Sequence, residues 1–453
     1  MSQEIKVELA QMLEARERRA YMQRELLQKY DKTMVSFTMN IAGPIKTSSL
    51  ITRGFDLGCR YLAEQLQANK IDVVYRQDIH EATGDEAYFI LDAAPLTVKA
   101  ITADIEDATP LGRLFDMDVL CPDGTKVERT QLGLPGRKCL ICGKPAKECS
   151  RSRTHTVADL QARTKEILEE AILNADVSDL SAMAMRALLY EVSTTPKPGL
   201  VDRNNSGSHR DMDIFTFINS ASALGPYFTD CYRVGKKTSA LEATATFARL
   251  RPLGREAEGH MYAVTGGVNT HKGAIFSMGI ICAALGRLDR ADWKNTDRIL
   301  DECAAMTNGL IEKDFAGLTA ENAATMGQKL YVNYGITGIR GQVAAGFPAV
   351  RETGLPVLRQ GINKGLSYND AGCACLLGLM TSATDTNLIA RSNMQVYEET
   401  IAKIKAILTD HPYPDSDTLL ALDQDFIEKN LSPGGSADLL AICYFLYFLE
   451  SQN

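Results

Sequence analysis

From Val157 to Val192 the chain reads VADLQARTKEILEEAILNADVSDLSAMAMRALLYEV, and the absence of proline and glycine commits this stretch to helix. A polar patch from Asp176 to Ser181 interrupts its apolar pattern. The domain boundary is expected in that patch, separating residues 1–178 from residues 179–453. Before it, β-rich runs (MVSFTMNIA, IDVVYRQDI, YFILDA, RLFDMDVL) alternate with turn residues such as Gly84-Asp85 and Asp123-Gly124. After it, nearly every apolar segment has helical spacing, as in SALEATATFARL and QVYEETIAKIKAIL, and β-branched alternation is scarce. The expected fold is multidomain, with an N-terminal mixed α/β domain followed by an all-α C-terminal domain. Within it, helices are expected over residues 4–29 and from Ser48 to Asn69, and a buried helix near Gly273 to Gly286.

A chain of 453 residues that is 45% hydrophobic and 23% charged can bury substantial cores. Its net charge of -8 argues against a general coat of nucleic acid or anionic membrane, but leaves room for a local basic pocket that meets phosphates. The N-terminus is charged from Glu4 and has no apolar h-region, so no secretory signal is expected, and no apolar run is long enough for a bilayer span. Eleven cysteines in such a chain read as reduced thiols of a cytoplasmic protein, where a cluster suits metal better than disulfides.

Two stretches of the first domain carry chemistry. In GRLFDMDVL the period-two alternation of a strand puts Asp116 and Asp118 on one face beside Arg113, a pair able to hold Mg²⁺ against phosphates. The plain alternative is a strand with two aspartates on its solvent face. About twenty residues on, GLPGRKCLICGKPAKECSRSRTH supplies six Lys or Arg, Arg137 and Arg151 among them, against a single Glu. The same segment spaces Cys139, Cys142, Cys149 and His155 compatibly with a structural zinc, provided that the loop wraps fully around the ion. Otherwise the thiols are small buried hydrophobes and His155 caps the next helix.

In the second domain, three polar, glycine-bearing loops border apolar runs: STTPKPGLVDRNNSGSHRDMD from Ser193, GGVNTHKG from Gly266 and NLSPGGSAD from Asn430. Together they suggest one convergent site for a phosphate-rich ligand. Lys197, Arg203 and Lys272 suit phosphates, and Asp211 and Asp213 suit Mg²⁺ or a proton. Asn205 and His209 suit sugar or base. His271 lies in the second loop, and Ser432, Gly434 and Gly435 precede a strongly apolar helix. Asp385 and Asn387 in ATDTNLIAR add a fourth polar insertion. For each residue taken singly, a helix cap or a surface charge is a competing role.

The motifs of the first domain, with SFTMNIAGPIK, resemble apo-citrate lyase phosphoribosyl-dephospho-CoA transferase. Those of the second, STTPKPGLVD, NTHKGAIFSMG, DTNLIAR and NLSPGGSADLLA, resemble triphosphoribosyl-dephospho-CoA synthase. The resemblance covers nearly the whole chain and implies a bifunctional transferase with a nucleotidyltransferase-like first domain, Mg²⁺ as cofactor and ATP and dephospho-CoA as substrates. It implies that the 2′-hydroxyl of dephospho-CoA attacks C1′ of the ATP ribose and adenine leaves. A serine of the citrate lyase acyl-carrier subunit then attacks the phosphorus next to the new ribose and expels pyrophosphate. The polymerase-β-like nucleotidyltransferases follow a Gly-Ser turn closely with DxD, whereas Gly43-Pro44 lies far upstream of Asp116 here. A competing reading, a zinc-containing nucleic-acid-binding module on a helical scaffold, is disfavoured because the Cys/His loop lacks aromatic residues for base stacking.

Overall fold

The computed structural model describes residues 5–451, which divide into two compact units between Asp176 and Val177. The first unit runs α1 (Leu9–Tyr30), β1 (Thr33–Met39), α2 (Ser49–Ala68), β2 (Val73–Glu81), β3 (Gly84–Leu91), α3 (Pro95–Ala108) and β4 (Phe115–Leu120). Its strands form one antiparallel sheet in the order β2-β3-β1-β4. The helix expected over 4–29 is observed as α1, which begins only at Leu9 because residues 5–8 are not helical; residue 4 lies outside the described residues. Ser48 caps α2, accepting a hydrogen bond from the Ile51 amide at 3.2 Å.

Strand alternation sorts the sheet residues between two cores. Val35, Phe37, Phe115, Met117 and Val119 pack with Phe55, Leu62, Val98 and Ile101 of α2 and α3. Phe37 stacks on Phe55 at 4.8 Å and meets the edge of Phe115 at 5.2 Å. Each such fully buried side chain contributes about 1.5–3 kcal/mol. On the other face, Met34, Tyr88, Ile90 and Leu120 bury Leu26 and Leu27 of α1.

Beyond β4 come α4 (Ala146–Ser152) and α5 (Val157–Ser193). The break expected at Asp176 to Ser181 does not occur, because the polar side chains there find lateral partners and leave the backbone helical. Asp176 accepts from Arg53 at 2.9 Å, Asp179 lies 3.6 Å from Arg290, and Ser181 donates to the Gly225 carbonyl at 3.1 Å.

The described elements of the second unit are helical. After the loop that follows α5 come α6 (Ile214–Ala223), α7 (Gly225–Lys237), α8 (Ala243–Val264) and α9 (Lys272–Arg287). Later elements include α10 (Tyr368–Ser382), α11 (Thr386–Arg391), α12 (Ser416–Glu428) and α13 (Gly434–Glu450). The helices α9, α10 and α13 are buried on nearly every side, in keeping with their predominantly apolar sequences, whose few charges lie towards the helix ends. No helix among the described residues is long and apolar enough to cross a membrane.

Candidate functional site

In the second unit, the loop after α5 and the starts of α9, α11 and α13 line one cavity of about 530 Å³. Long-helix N-termini leave unpaired amides, so the first turns of α9 and α13 give this cavity a polarity that suits anions. Close approach of the two helices depends on Gly273: a Cβ there would lie 1.9 Å from Oδ2 of Asp438, in the second turn of α13. Burial, then the charges of Glu191 and Asp385, push the Asp438 carboxyl well above the usual range.

Glu191, in the last turn of α5, forms an ion pair with Lys197 in which both side chains are almost completely buried. The loop carrying Lys197 is held from within by Asp202. That carboxylate accepts from Thr195 Oγ1 at 2.7 Å and from the amides of Lys197, Asn204 and Asn205 at 2.9, 2.6 and 3.0 Å. Asp423 of α12 accepts from the Gly199 amide and from Asn205 Nδ2, each at 2.8 Å. Gly199 adopts φ +70°, and a Cβ there would lie 2.2 Å from the Leu431 carbonyl oxygen.

Burial disfavours the charged form of both histidines of the cavity wall. Burial and the nearby Lys197 charge push His271 down to about 3. Thr270 donates to Ser220 Oγ at 2.8 Å and Ser220 meets His271 Nδ1 at 2.7 Å. With the Ser220 hydroxyl donating to Nδ1, the ring carries its proton on Nε2, which has no partner among the described residues. His209 is lowered by burial and by Arg391, whose Nη2 donates to Nδ1 at 3.1 Å, while Nε2 donates to Ser432 Oγ at 2.9 Å. Asp385 is the cap of α11, accepting from the amides of Asn387, Leu388 and Ser436 at 2.9, 3.1 and 2.7 Å. Asn387, Gly434 and Gly435 line the same wall. The exposed end of the cavity carries Asp211 and Lys272, whose Nζ is 2.9 Å from Glu258.

In the first unit, Asp116 and Asp118 share a face of β4 with their partners Thr38 and Ser36 on β1, opposite the buried Phe115, Met117 and Val119. Desolvation and then the Asp118 charge raise the Asp116 carboxyl. Arg137 lies 3.6 Å from Asp116, and Lys126 lies 2.6 Å from Asp118. Asp116 also lines a cavity of about 170 Å³ with Arg16, Arg19, Asn40, Lys46 and Asp85. Arg113 donates to the Lys138 carbonyl and lies 3.6 Å from Asp107, whereas Arg151 is exposed on α4.

The sequence matches two family models in succession. Residues 7–171 match apo-citrate lyase phosphoribosyl-dephospho-CoA transferase, CitX. Residues 177–453 match ATP:dephospho-CoA triphosphoribosyl transferase, CitG. Protein CitXG of Haemophilus influenzae is 35% identical over 97% of this chain and 96% of its own length. The chain belongs to the fused CitXG family. Protein CitXG of Leuconostoc mesenteroides subsp. cremoris is 34% identical, covering 97% of each chain. The 2-(5''-triphosphoribosyl)-3'-dephosphocoenzyme-A synthase of Pectobacterium atrosepticum is 38% identical over 64% of this chain and 96% of its own. Both CitX and CitG are transferases, and this CitXG chain is a bifunctional enzyme that builds and attaches the prosthetic group of citrate lyase.

Several residues singled out in the CitXG sequence have other work. Arg203 and Asn205 do not line the cavity: Arg203 donates to Asn369 at 2.8 Å, and Asn205 ties its loop to Asp423. Asp213 is the N-cap of α6, exposed, and its carboxylate is held below the usual range by hydrogen bonds from Thr216. Asp213→Ala should therefore lower stability modestly, through loss of the cap, and leave the adenine-releasing turnover unchanged; a strong loss of turnover at parental stability would return it to the site. Conversely, Glu191 and Arg391 line the cavity without having stood out in the sequence, and Asp438 stood out only as the last residue of the third loop. The signal for Glu191 was a lone carboxylate in the apolar end of α5, LLYEV, where no solvent face accounts for it.

Proposed function

We propose that the cavity of the second unit, an all-α synthase domain, binds ATP with its triphosphate towards the exposed end and its ribose towards the buried carboxylates. The observation carrying this reading is the separation of charge along one cavity. Lys272, Arg391 and the first turns of α9 and α13 supply positive potential for phosphates, with Asp211 at the exposed end to hold Mg²⁺. At the buried end, Lys197 is already neutralised by Glu191, which leaves Asp385 and Asp438 as the remaining carboxyls. That end suits an oxocarbenium-like C1′ and a departing proton rather than a phosphate. As the C1′–N9 bond breaks and the C1′–O2′ bond forms, Asp438 takes the 2′-hydroxyl proton, and the neutral Nε2–H of His271 offers a hydrogen bond to substrate.

For attachment, the first unit serves as a nucleotidyltransferase-like domain. Asp116 and Asp118 hold Mg²⁺ against the phosphorus next to the new ribose, and Arg137, Arg19 and Lys46 offset the phosphate charge. Gly43 and Ser48 are distant from Asp116 in sequence, yet they follow β1, whose residue Thr38 pairs directly with Asp116. Lys46, in the segment that follows β1, lines the cavity of Asp116 and supports this reading. Free thiols throughout and a need for ATP accord with a cytoplasmic setting.

Incubation with ATP, Mg²⁺ and dephospho-CoA should release free adenine and leave the triphosphate on the product. Asp116→Asn/Asp118→Asn should lower transfer to the apo carrier at least about a hundredfold while adenine release continues. Inorganic phosphate or pyrophosphate in place of adenine in the first step, or normal transfer by the double variant, would overturn the corresponding assignment.

A further inference from the structure

We propose that Cys139, Cys142, Cys149 and His155 bind a zinc ion that locks the segment carrying Arg137 onto the strand bearing Asp116. The positioning half of this proposal rests on the reading that Asp116 serves the transfer step. The four donor atoms lie within 4.8 Å of one another, with Cys142 Sγ and Cys149 Sγ 3.4 Å apart. Zinc–sulfur bonds of about 2.3 Å set tetrahedral sulfur–sulfur edges of about 3.8 Å, so one ion fits between these donors. Three thiols and an imidazole, with no carboxylate among them, select zinc over Mg²⁺.

The loop does wrap around the point where an ion would sit. Lys138 and Pro145 form an antiparallel bridge, the Gly143 amide donates to the Cys139 carbonyl at 3.3 Å, and Gly143 takes φ +71°. The chain then turns through α4, which carries Cys149, and leaves through Arg153 in the left-handed region, so that His155 returns to the cluster. Neither plain explanation of these residues survives. Cys142 is exposed and Cys139 only half-buried, so the thiols are not simply packed hydrophobes. Thr156, not His155, caps α5, its Oγ1 accepting from the Asp159 amide at 3.1 Å, and the buried His155 Nε2 has no hydrogen-bond partner among the described residues. Most of the segment between Gly133 and Thr156 is exposed, and an apolar core therefore contributes little to its order.

What the ion would fix is visible next to it. Arg137 directly precedes this loop; it donates to the Phe115 carbonyl at the start of β4 and stands 3.6 Å from Asp116 and 3.7 Å from Glu106. The Arg137 carbonyl accepts from the Ala146 amide at 2.8 Å, and the Lys138 carbonyl accepts from Arg113. The first cysteine is thus two residues from the guanidinium that faces the aspartate pair. Releasing the metal should free that segment, making the four ligands positioning residues rather than catalytic ones.

The full chain, purified without chelator and dialysed against micromolar zinc, should contain about one zinc per chain by mass spectrometry. Cobalt substitution should give the visible d–d bands of a tetrahedral, thiolate-rich site. Cys142→Ser and His155→Ala should each lose most of the zinc and lower transfer of pre-made triphosphoribosyl-dephospho-CoA about tenfold or more, with adenine release unchanged. Absence of zinc from the parent chain, iron in its place, or full zinc retention by both variants overturns the site, and the parent's metal content and cobalt spectrum decide this even if the variants misfold. Zinc-stripped protein that transfers at the parental rate overturns the positioning role alone. A metal-loaded parent that transfers nothing indicts the assignment of Asp116 to transfer, while zinc stoichiometry still decides the site.

Discussion

Asp438→Asn should lower the turnover of adenine release by about 10²–10⁴, with little change in ATP binding and none in the transfer of pre-made triphosphoribosyl-dephospho-CoA to the carrier. The substitution keeps the shape of the side chain against Gly273, where there is room for nothing larger. It removes the ability to accept a proton and the negative charge of the ionised form. Because burial and the neighbouring carboxylates Glu191 and Asp385 raise the Asp438 carboxyl well above its ordinary range, its ionised form is costly in the folded protein. The linkage sign follows: that cost is absent below the unfolded-state value and grows as pH rises through the folded one. The asparagine variant should therefore be at least as stable as the parent at neutral pH. Catalysis has the opposite dependence, since a base must be ionised, so the acidic limb of the parental turnover profile should lie above the normal carboxylate range. A destabilised Asp438→Asn with near-parental turnover, measured by chromatography of adenine and by denaturant unfolding, would show that the residue is structural.

The sequence marks the loops of this site more clearly than it marks the duties of their charges. Composition alone marks Ser193 to Asp213, Gly266 to Gly273 and Asn430 to Asp438 as polar loops, though Pro196 to Asp202, His271 and Leu431 to Pro433 are buried in the structure, and strand alternation alone puts Asp116 and Asp118 on one face. Both are local properties. The duty of a given charge depends on partners distant in the chain: Lys197 on Glu191 in the preceding helix, Asn205 on Asp423, Arg203 on Asn369. Asp202, Asp213 and Asp385 look alike in sequence, yet the first two stabilise local backbone turns and the third joins α11 to the start of α13. The polar patch at Asp176 to Ser181 reads as a break for the same reason, since Arg53, Arg290 and the Gly225 carbonyl, which satisfy it, lie in other elements. In the Cys/His loop, spacing states which atoms can meet, and only the turn at Gly143 and the return through Arg153 bring them together.

Lys197→Met should destabilise the second unit by about 3–5 kcal/mol, an effect on folding rather than a selective loss of ATP affinity. Lys197 lies on a loop rich in phosphate-binding residue types, but its ammonium is buried against Glu191 and has no charge to spare for a triphosphate. Removing it leaves the Glu191 carboxylate uncompensated in a region that already contains Asp438. The carboxyl of Glu191 is raised by burial even with the lysine present, so the variant should take up a proton there on folding and lose stability more steeply as pH increases. For a unit of this size the loss corresponds to a Tm decrease of roughly 6–15 °C in its own transition. The double variant Glu191→Leu/Lys197→Met removes both charges together and should recover most of the stability, since a well-packed apolar pair commonly replaces a buried ion pair at little cost. Lys272→Ala tests the contrast, because that ammonium is exposed at the open end of the cavity and should weaken ATP binding without moving the Tm. If Lys197→Met instead keeps the parental Tm and loses only ATP affinity, the pair must separate on binding, and Lys197 rejoins the phosphate site.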